Sequence, residues 1–89
     1  MKGFVKDPDA ILDYVIDWGP WLNGDEINTS NWTLDSGITN NADDTPSTST
    51  TRIFISGGTA GVNYTATNRI TTIGGRTDDR SFEVRVRQR

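Results

Sequence analysis

Two groups of side chains in this sequence could carry chemistry, a series of aspartates near the start and a set of tryptophans that follows it. Asp7, Asp9, Asp13 and Asp17 offer the hard oxygen ligands that Ca²⁺ prefers. Their alternating spacing, however, lacks the D-x-[DN]-x-[DN]-G loop with its closing glutamate. We therefore interpret Asp13 and Asp17 as the polar side of a strand and predict no metal site.

The tryptophans Trp18, Trp21 and Trp32 could form an aromatic platform for sugars. Large aromatic side chains dominate the burial energetics of small cores, so we expect Trp18 and Trp32 to lie inside. Trp21 stands in a loop between Pro20 and Leu22 and is expected to be partly exposed. Trp21 and Leu22 are therefore candidate contacts for a protein partner.

The chain has no histidine and no cysteine. The commonest general base, the commonest metal ligand and every Ser-His or Cys-His pair are thus missing, which argues against a conventional hydrolase. Disulfides and thiolate metal sites are missing for the same reason. We predict neither catalytic residues nor a cofactor.

The formal net charge is −3, and the isoelectric point near 4.6 argues against a basic nucleic-acid-binding face. Acidic residues crowd the first third, and arginines fill the last fifth at positions Arg76, Arg80, Arg85, Arg87 and Arg89. We interpret both groups as solvated strand faces, with Arg85 and Arg87 as candidate partner contacts. No apolar run has the length of a signal peptide or a membrane span, which predicts a protein made and folded in a cytoplasm.

Residues 62–86 give the clearest structural signal. Apolar and polar side chains alternate through 62–67 and again through 81–86, the period of a strand with one buried face. Glycines and aspartates at 74–79 separate the two runs and predict the loop of an antiparallel hairpin.

Shorter segments complete the predicted sheets. Residues 10–18 also fit helical spacing behind an Asp9 cap, but their β-branched and aromatic content favours a strand. Val15 and Phe54 are expected to face outward on neighbouring strands and to form a small apolar patch. We predict an edge strand at 2–6, a central strand at 10–18, a loop at 19–25, a strand at 26–34 with a bulge near Thr29 and Ser30, a short strand from 38, a mobile crossover at 40–51 and a strand at 51–56.

Tyr64 follows the glycine-rich residues 57–61 near the start of a late strand, in the position of the tyrosine corner of immunoglobulin-like sandwiches. The chain, 89 residues long, is sized for a single domain, residues 1–89. The sequence therefore predicts an all-β, immunoglobulin-like antiparallel β-sandwich of six to seven strands, with helix content near zero.

Several segments together resemble a family of short tailed-bacteriophage proteins described as tail-fibre adaptors. The resemblance covers most of the chain and is weakest at 35–50. It rests on residues 4–10, the run from Leu12 to Trp18, Trp21 with Leu22, the residues Asp25, Ile27, Ser30 and Trp32, and later the segments 55–61, Tyr64, 68–72 and 75–82.

The resemblance implies an immunoglobulin-like fold and a structural or adaptor role in a phage or prophage virion, without catalytic residues. The expected partners are other phage structural proteins, with self-association through edge strands left open. No nucleic acid, membrane or small-molecule substrate is expected. The implied location is the host cytoplasm during assembly and then the virion. The first alternative is a carbohydrate-binding or adhesion module, which requires Trp21 and a neighbouring tryptophan to be exposed and coplanar. The second is an accessory sandwich that serves a separate enzyme.

Overall fold

The computed structural model describes residues 2–88, without the side chain of Lys2, so Arg89 lies outside the described residues. These residues form seven strands and one helical turn. The elements are β1 (Lys2–Lys6), β2 (Leu12–Asp17), α1 (Gly19–Leu22), β3 (Ile27–Leu34), β4 (Ile38–Ser47), β5 (Thr50–Gly57), β6 (Asn63–Thr72) and β7 (Thr77–Val86).

Two sheets pack face to face, one with the strand order β1-β7-β6-β3 and the other with the order β2-β5-β4. β1 runs parallel to β7, and the other neighbours are antiparallel. The prediction of a β-sandwich is confirmed. The order β2-β5-β4 against β7-β6-β3 is compatible with the immunoglobulin constant type, except that β1 lies beside the last strand and not beside β2.

The core lies between the sheets and is formed by alternate residues of the strands. Its second, smaller cluster joins Trp18, Leu22 and Ile70 at one end. The predicted alternation on β5, β6 and β7 is confirmed, because every second residue is more buried than the residues between. The main cluster contains Tyr14, Ile38, Ile53, Ile55, Tyr64, Ala66, Phe82, Val84 and Val86.

Asn68 of β6 is fully buried and connects both sheets through its side-chain amide. Its Oδ1 accepts hydrogen bonds from Trp18 Nε1 at 3.0 Å and from Thr51 Oγ1 at 2.8 Å. Its Nδ2 donates to Ser30 Oγ at 2.9 Å and to the carbonyl of Asn31 at 3.1 Å. Both lone pairs and both donors of the amide are therefore satisfied, as burial of such a group requires.

Lys6 makes a second polar connection between the sheets at the opposite end. Its side chain is fully buried, and its Nζ donates to the carbonyls of Asp7 at 2.8 Å and Gly57 at 2.7 Å. Burial lowers the pKa of Lys6, while the nearby carboxylates of Asp7 and Asp9 oppose that shift. The ammonium group thus ties the end of β1 to the end of β5.

The predicted tyrosine corner is present. The hydroxyl of Tyr64 accepts a hydrogen bond from the backbone N–H of Thr59 at 2.9 Å. The ring also packs over Gly37, whose φ is +111°, and a Cβ there would lie 2.7 Å from Cε1 of the tyrosine. Tyr64 therefore joins the β3–β4 turn to the β5–β6 turn.

The largest difference from prediction lies at residues 40–51, which are not a mobile crossover. Residues 38–47 form β4, which pairs with β5 through a short turn. The strand was missed because every residue from Thr39 to Ser47 is exposed, so no apolar periodicity marks it. Its order comes from backbone pairing, with register irregularities between Asn40 and Ala42 and between Asp44 and Ser47.

Two smaller predictions also need correction. β2 is an edge strand of its sheet rather than a central one, and its first residue, Leu12, is 38% exposed. The loop at 19–25 contains α1, where Pro20 supplies a φ suited to the first turn and Asn23 ends the turn in the left-handed region. The edge strand at 2–6, the seven-strand count and the bulge, which lies between Ile27 and Thr29, are confirmed.

Replacing Asn68 with alanine should destabilise the protein by at least about 2 kcal/mol, because the buried donors Trp18 Nε1 and Thr51 Oγ1 lose their acceptor. The measurement is chemical denaturation monitored by tryptophan fluorescence. Asn31→Ala is the matched control, since its side chain is exposed and only its backbone carbonyl meets Asn68. Equal stability losses in the two variants would contradict the central role of the Asn68 amide.

Replacing Tyr64 with phenylalanine should cost about 1 kcal/mol of unfolding free energy, because the part-buried hydrogen bond from the N–H of Thr59 loses its acceptor. Tyr14→Phe provides the comparison, because the Tyr14 hydroxyl is buried and has no hydrogen-bond partner among the described residues. That second change should be neutral or slightly stabilising. A neutral Tyr64→Phe variant would refute the corner assignment.

Candidate functional site

One end of the sandwich gathers chain segments that are far apart in sequence. The amide of Trp18 donates to the carbonyl of Ser49 in the β4–β5 turn, and the amide of Ile27 donates to Thr48. The amide of Ile73, in the β6–β7 turn, donates to Glu26. The connection between β2 and β3 is therefore held against two turns, and its aromatic side chains are fixed in place.

Arg76 organises this end through three kinds of contact. Its guanidinium carbon lies 4.3 Å from the centroid of the Trp21 ring, a cation–π arrangement. Its Nη2 donates to the carbonyl of Leu22 at 2.6 Å, and its Nε donates to Asp25 Oδ2 at 3.2 Å. The planar fork of arginine allows the stacking and the hydrogen bonds together, which a lysine could not provide.

A parallel contact lies one layer deeper. The guanidinium carbon of Arg80 lies 4.4 Å from the centroid of the Trp18 ring, and its Nη1 donates to the carbonyl of Asp17 at 3.0 Å. The rings of Trp18 and Trp21 meet edge to face, with centroids 5.5 Å apart. Two arginines and two tryptophans thus form a continuous packed stack.

Asp25 closes the stack at the surface. The Thr72 hydroxyl, the backbone amides of Glu26 and Gly74 and the Arg76 guanidinium lower the pKa of Asp25 to about 2. A Cβ at Gly74 would lie 2.7 Å from Oδ2 of this carboxylate, so only glycine allows the close approach. The carboxylate stays ionised and holds the β6–β7 turn against the start of β3.

Two apolar side chains near this stack reach solvent. Ile73 is 66% exposed, and Trp21 is only partly buried against the Trp18 cluster. We define the tryptophan end as Trp21, Asp25, Ile73 and Arg76. Aromatic and arginine side chains held rigid beside exposed apolar surface are typical of protein-contact hot spots, because little entropy is lost when they bind.

The candidates identified from the sequence do not converge on one surface. Leu22 is 2% exposed and belongs to the core, so its expected role as a surface contact is wrong. It is buried because α1 turns it inward against Trp18 and Ile70. Val15 lies on the outer face of the three-stranded sheet and is 53% exposed.

Phe54 shares that outer face but is partly covered by Arg52, whose guanidinium carbon lies 5.4 Å from its ring centroid. Arg85 and Arg87 lie near the far end of the other sheet. Nε of Arg85 is 3.2 Å from Glu83 Oε1, and Nη2 of Arg87 donates to Asn63 Oδ1 at 3.1 Å. Arg85 belongs to β7, which lies between β1 and β6, and Arg87 follows that strand with its backbone N–H donating to Lys6, so neither residue lies on a free sheet edge.

The aromatic platform required by the carbohydrate alternative is not formed. Trp18 has no exposed surface, as predicted for a core residue, and its ring is inclined by 70° to that of Trp21. Trp32 is partly buried and packs against the main core, edge to face with Phe82. Trp21 itself is stacked by Arg76.

The sequence analysis missed Asp25, Ile73 and Arg76 as members of the site. Ile73 carries a usable signal, because an isoleucine immediately before the glycines of a hairpin turn has no strand face on which to be buried. The sequence around Asp25 and Arg76 gives no such signal, since only the fold brings residues so distant in sequence together.

Comparison with known protein families identifies the chain. The family model described as podophage GP4 fiber-tail adaptor protein gp77 matches residues 6–85. The chain belongs to this family. The match spans all seven strands in whole or in part, includes the tryptophan end, and supports a structural or adaptor role in a phage. A comparison with curated proteins gives no match.

Two further observations bear on chemistry in this adaptor-family chain. Among residues 2–88, no three acidic side chains converge on a point that could hold a metal ion. Within residues 2–88, no helix has enough length and apolar character to cross a membrane.

Replacing Asp25 with asparagine should lower the melting temperature at neutral pH and flatten the acid limb of the stability curve. The folded pKa, about 2, lies below the ordinary value of 3.8, so the carboxylate contributes stability above pH 3.8 and loses it as the pH falls towards 2. The measurement is thermal unfolding from pH 7 to pH 2.

The gap between Asp25→Asn and the natural protein should stay constant down to about pH 5 and close between about pH 4 and pH 2. Asp13→Asn is the matched control, because its exposed side chain is not part of this hydrogen-bond network. An undiminished gap at pH 2 would rule out Asp25 ionisation as its cause.

Proposed function

We propose that the chain is a non-enzymatic connector that joins structural proteins of a phage tail and binds one of them through the tryptophan end. The observation that carries the proposal is the juxtaposition of exposed Ile73 and partly exposed Trp21 on a framework fixed by Arg76. The family match supports the setting in which this surface would act.

The shape of the molecule suits a connector. The described residues extend 42 × 22 × 19 Å, and the tryptophan end lies where the β2–β3 connection and the β6–β7 turn meet. A partner bound there leaves the faces of both sheets and the opposite end accessible to other proteins. An adaptor needs such separated surfaces, because it must contact two neighbours at once.

A non-enzymatic role is supported by the chemistry of the chain. It has neither histidine nor cysteine, and the arginines of the tryptophan end are committed to rings and carbonyls within the fold. The surface would therefore work by shape and charge complementarity. We further propose that the chain joins the particle while it is assembled in the host cytoplasm.

Replacing Ile73 with aspartate should reduce incorporation of the chain into phage particles by about tenfold or more, because loss of a central apolar contact typically costs about 2 kcal/mol. The assay supplies the variant to a phage that lacks its own copy and counts copies per purified particle by mass spectrometry. The large natural exposure of Ile73 means that folding should be unaffected.

Val62→Asp is the matched control for this experiment. Val62 stands immediately before β6, whereas Ile73 stands immediately after it. Val62 is 41% exposed and lies at the opposite end of the sandwich. Particles that incorporate both variants normally would refute binding through the tryptophan end. Absence of the natural chain from particles would refute the structural role itself.

A further inference from the structure

We propose that β2 is a binding edge for an extended segment of another protein, which adds a strand to the three-stranded sheet and alternates basic with apolar residues. The edge comprises residues 12–17 and lies on the side of the sandwich, away from Ile73. The inference rests on the geometry of this edge and not on the tryptophan end.

The outer side of β2 presents backbone groups to which residues 2–88 add no further strand. β2 pairs with β5 in an uninterrupted register from Leu12 to Asp17, and the next amide, that of Trp18, donates to Ser49 across the same pair. Because the hydrogen-bonding direction alternates along a strand, Asp13, Val15 and Asp17 direct their N–H and C=O groups away from β5. The carbonyl of Asp17 accepts a hydrogen bond from Nη1 of Arg80, which occupies only the last position of this edge.

The other sheet edges carry features that prevent pairing with a further strand. β4 has two register irregularities, two adjacent aspartates and Pro46. β3 is irregular between Ile27 and Thr29. β1 has only five residues. Bulges and prolines interrupt the pairing of an edge strand, and β2 (Leu12–Asp17) has neither, so its charged side chains are the one such device that it carries.

A groove beside β2 can receive the inward side chains of an added strand. It has a volume of about 330 Å³ and separates β2 from the first half of β7. Phe4, Ile16 and Phe82 form its apolar walls. The groove occupies the side of β2 on which the immunoglobulin constant type has its first strand, and here β1 has joined β7 instead.

The negative charge of the β2 edge favours an incoming strand with basic side chains. Asp13 and Asp17 flank exposed Val15 on the outer face, while the nearby Arg52 is neutralised by Asp44. A second copy paired antiparallel about Val15 would place Asp13 opposite Asp17 twice, and like charges directly opposite each other are destabilising. An incoming strand with lysine or arginine on that face and apolar residues towards the groove meets both requirements.

The test uses the full chain, labelled with ¹⁵N, and a synthetic peptide in which lysine and valine alternate. Binding should slow hydrogen exchange of the Asp13 and Val15 amides, because they become donors to the added strand. A glutamate–valine peptide of the same length should have an affinity at least about tenfold lower. Binding that leaves both amides exchanging as in the free chain would overturn the proposal, as would no binding of the lysine peptide.

Three variants separate strand addition from simple attraction. Val15→Pro removes an N–H that β5 does not use and should abolish binding, whereas Val15→Thr keeps the N–H and should still bind. Asp13→Lys leaves the backbone intact and should remove most of the preference between the two peptides, because the introduced lysine would offset the charge of Asp17. If hydrogen exchange of these amides slows as the concentration of the chain rises, without any peptide, the strand that binds this edge is a second copy of the chain. That result would overturn the proposed occupant. None of these outcomes depends on incorporation into phage particles.

Discussion

The sandwich depends on one buried amide. Asn68 is the point at which Trp18 and Thr51 of one sheet and Ser30 of the other meet, and every polar atom of its side chain is bonded. Because a buried polar group without a partner is costly, these four hydrogen bonds favour the alignment of the two sheets that forms them all. The same amide orients the Trp18 ring, against which Trp21 and the rest of the tryptophan end are built.

Arg76 in the β6–β7 turn and Arg80 on β7 link this alignment of the sheets to the surface of the tryptophan end. Arg80 covers Trp18 and bonds to the end of β2, and Arg76 covers Trp21 and bonds to α1 and Asp25. The acidic start and basic end of the chain, interpreted from the sequence as separate solvated faces, therefore meet in part within the fold. Their contacts are worth more than exposed ion pairs because ring stacking and carbonyl bonds accompany the charges.

The two edge strands of the three-stranded sheet differ in how readily they could pair with a further strand. β4 is almost wholly polar, yet it is ordered by pairing and ends its sheet with bulges and charge. β2 ends the same sheet without interruption, with Val15 exposed and a groove behind it. A connector needs two surfaces of different chemistry, and a rigid aromatic tip and an open acidic edge would recruit partners of different kinds.

The sequence by itself determined the fold class, the hairpin of β6 and β7, the Tyr64 corner and the burial of Trp18, because strand periodicity and turn residues are local signals. It could not show β4, whose side chains are all exposed after Ile38 and follow no apolar periodicity. Nor could it show the edge position of β2, since the residue pattern of one strand does not indicate which strands pair with it. The site was decided only by the tertiary structure. Asp25 and Arg76 meet because the strands between them fold back, and Leu22 is buried because α1 turns it inward.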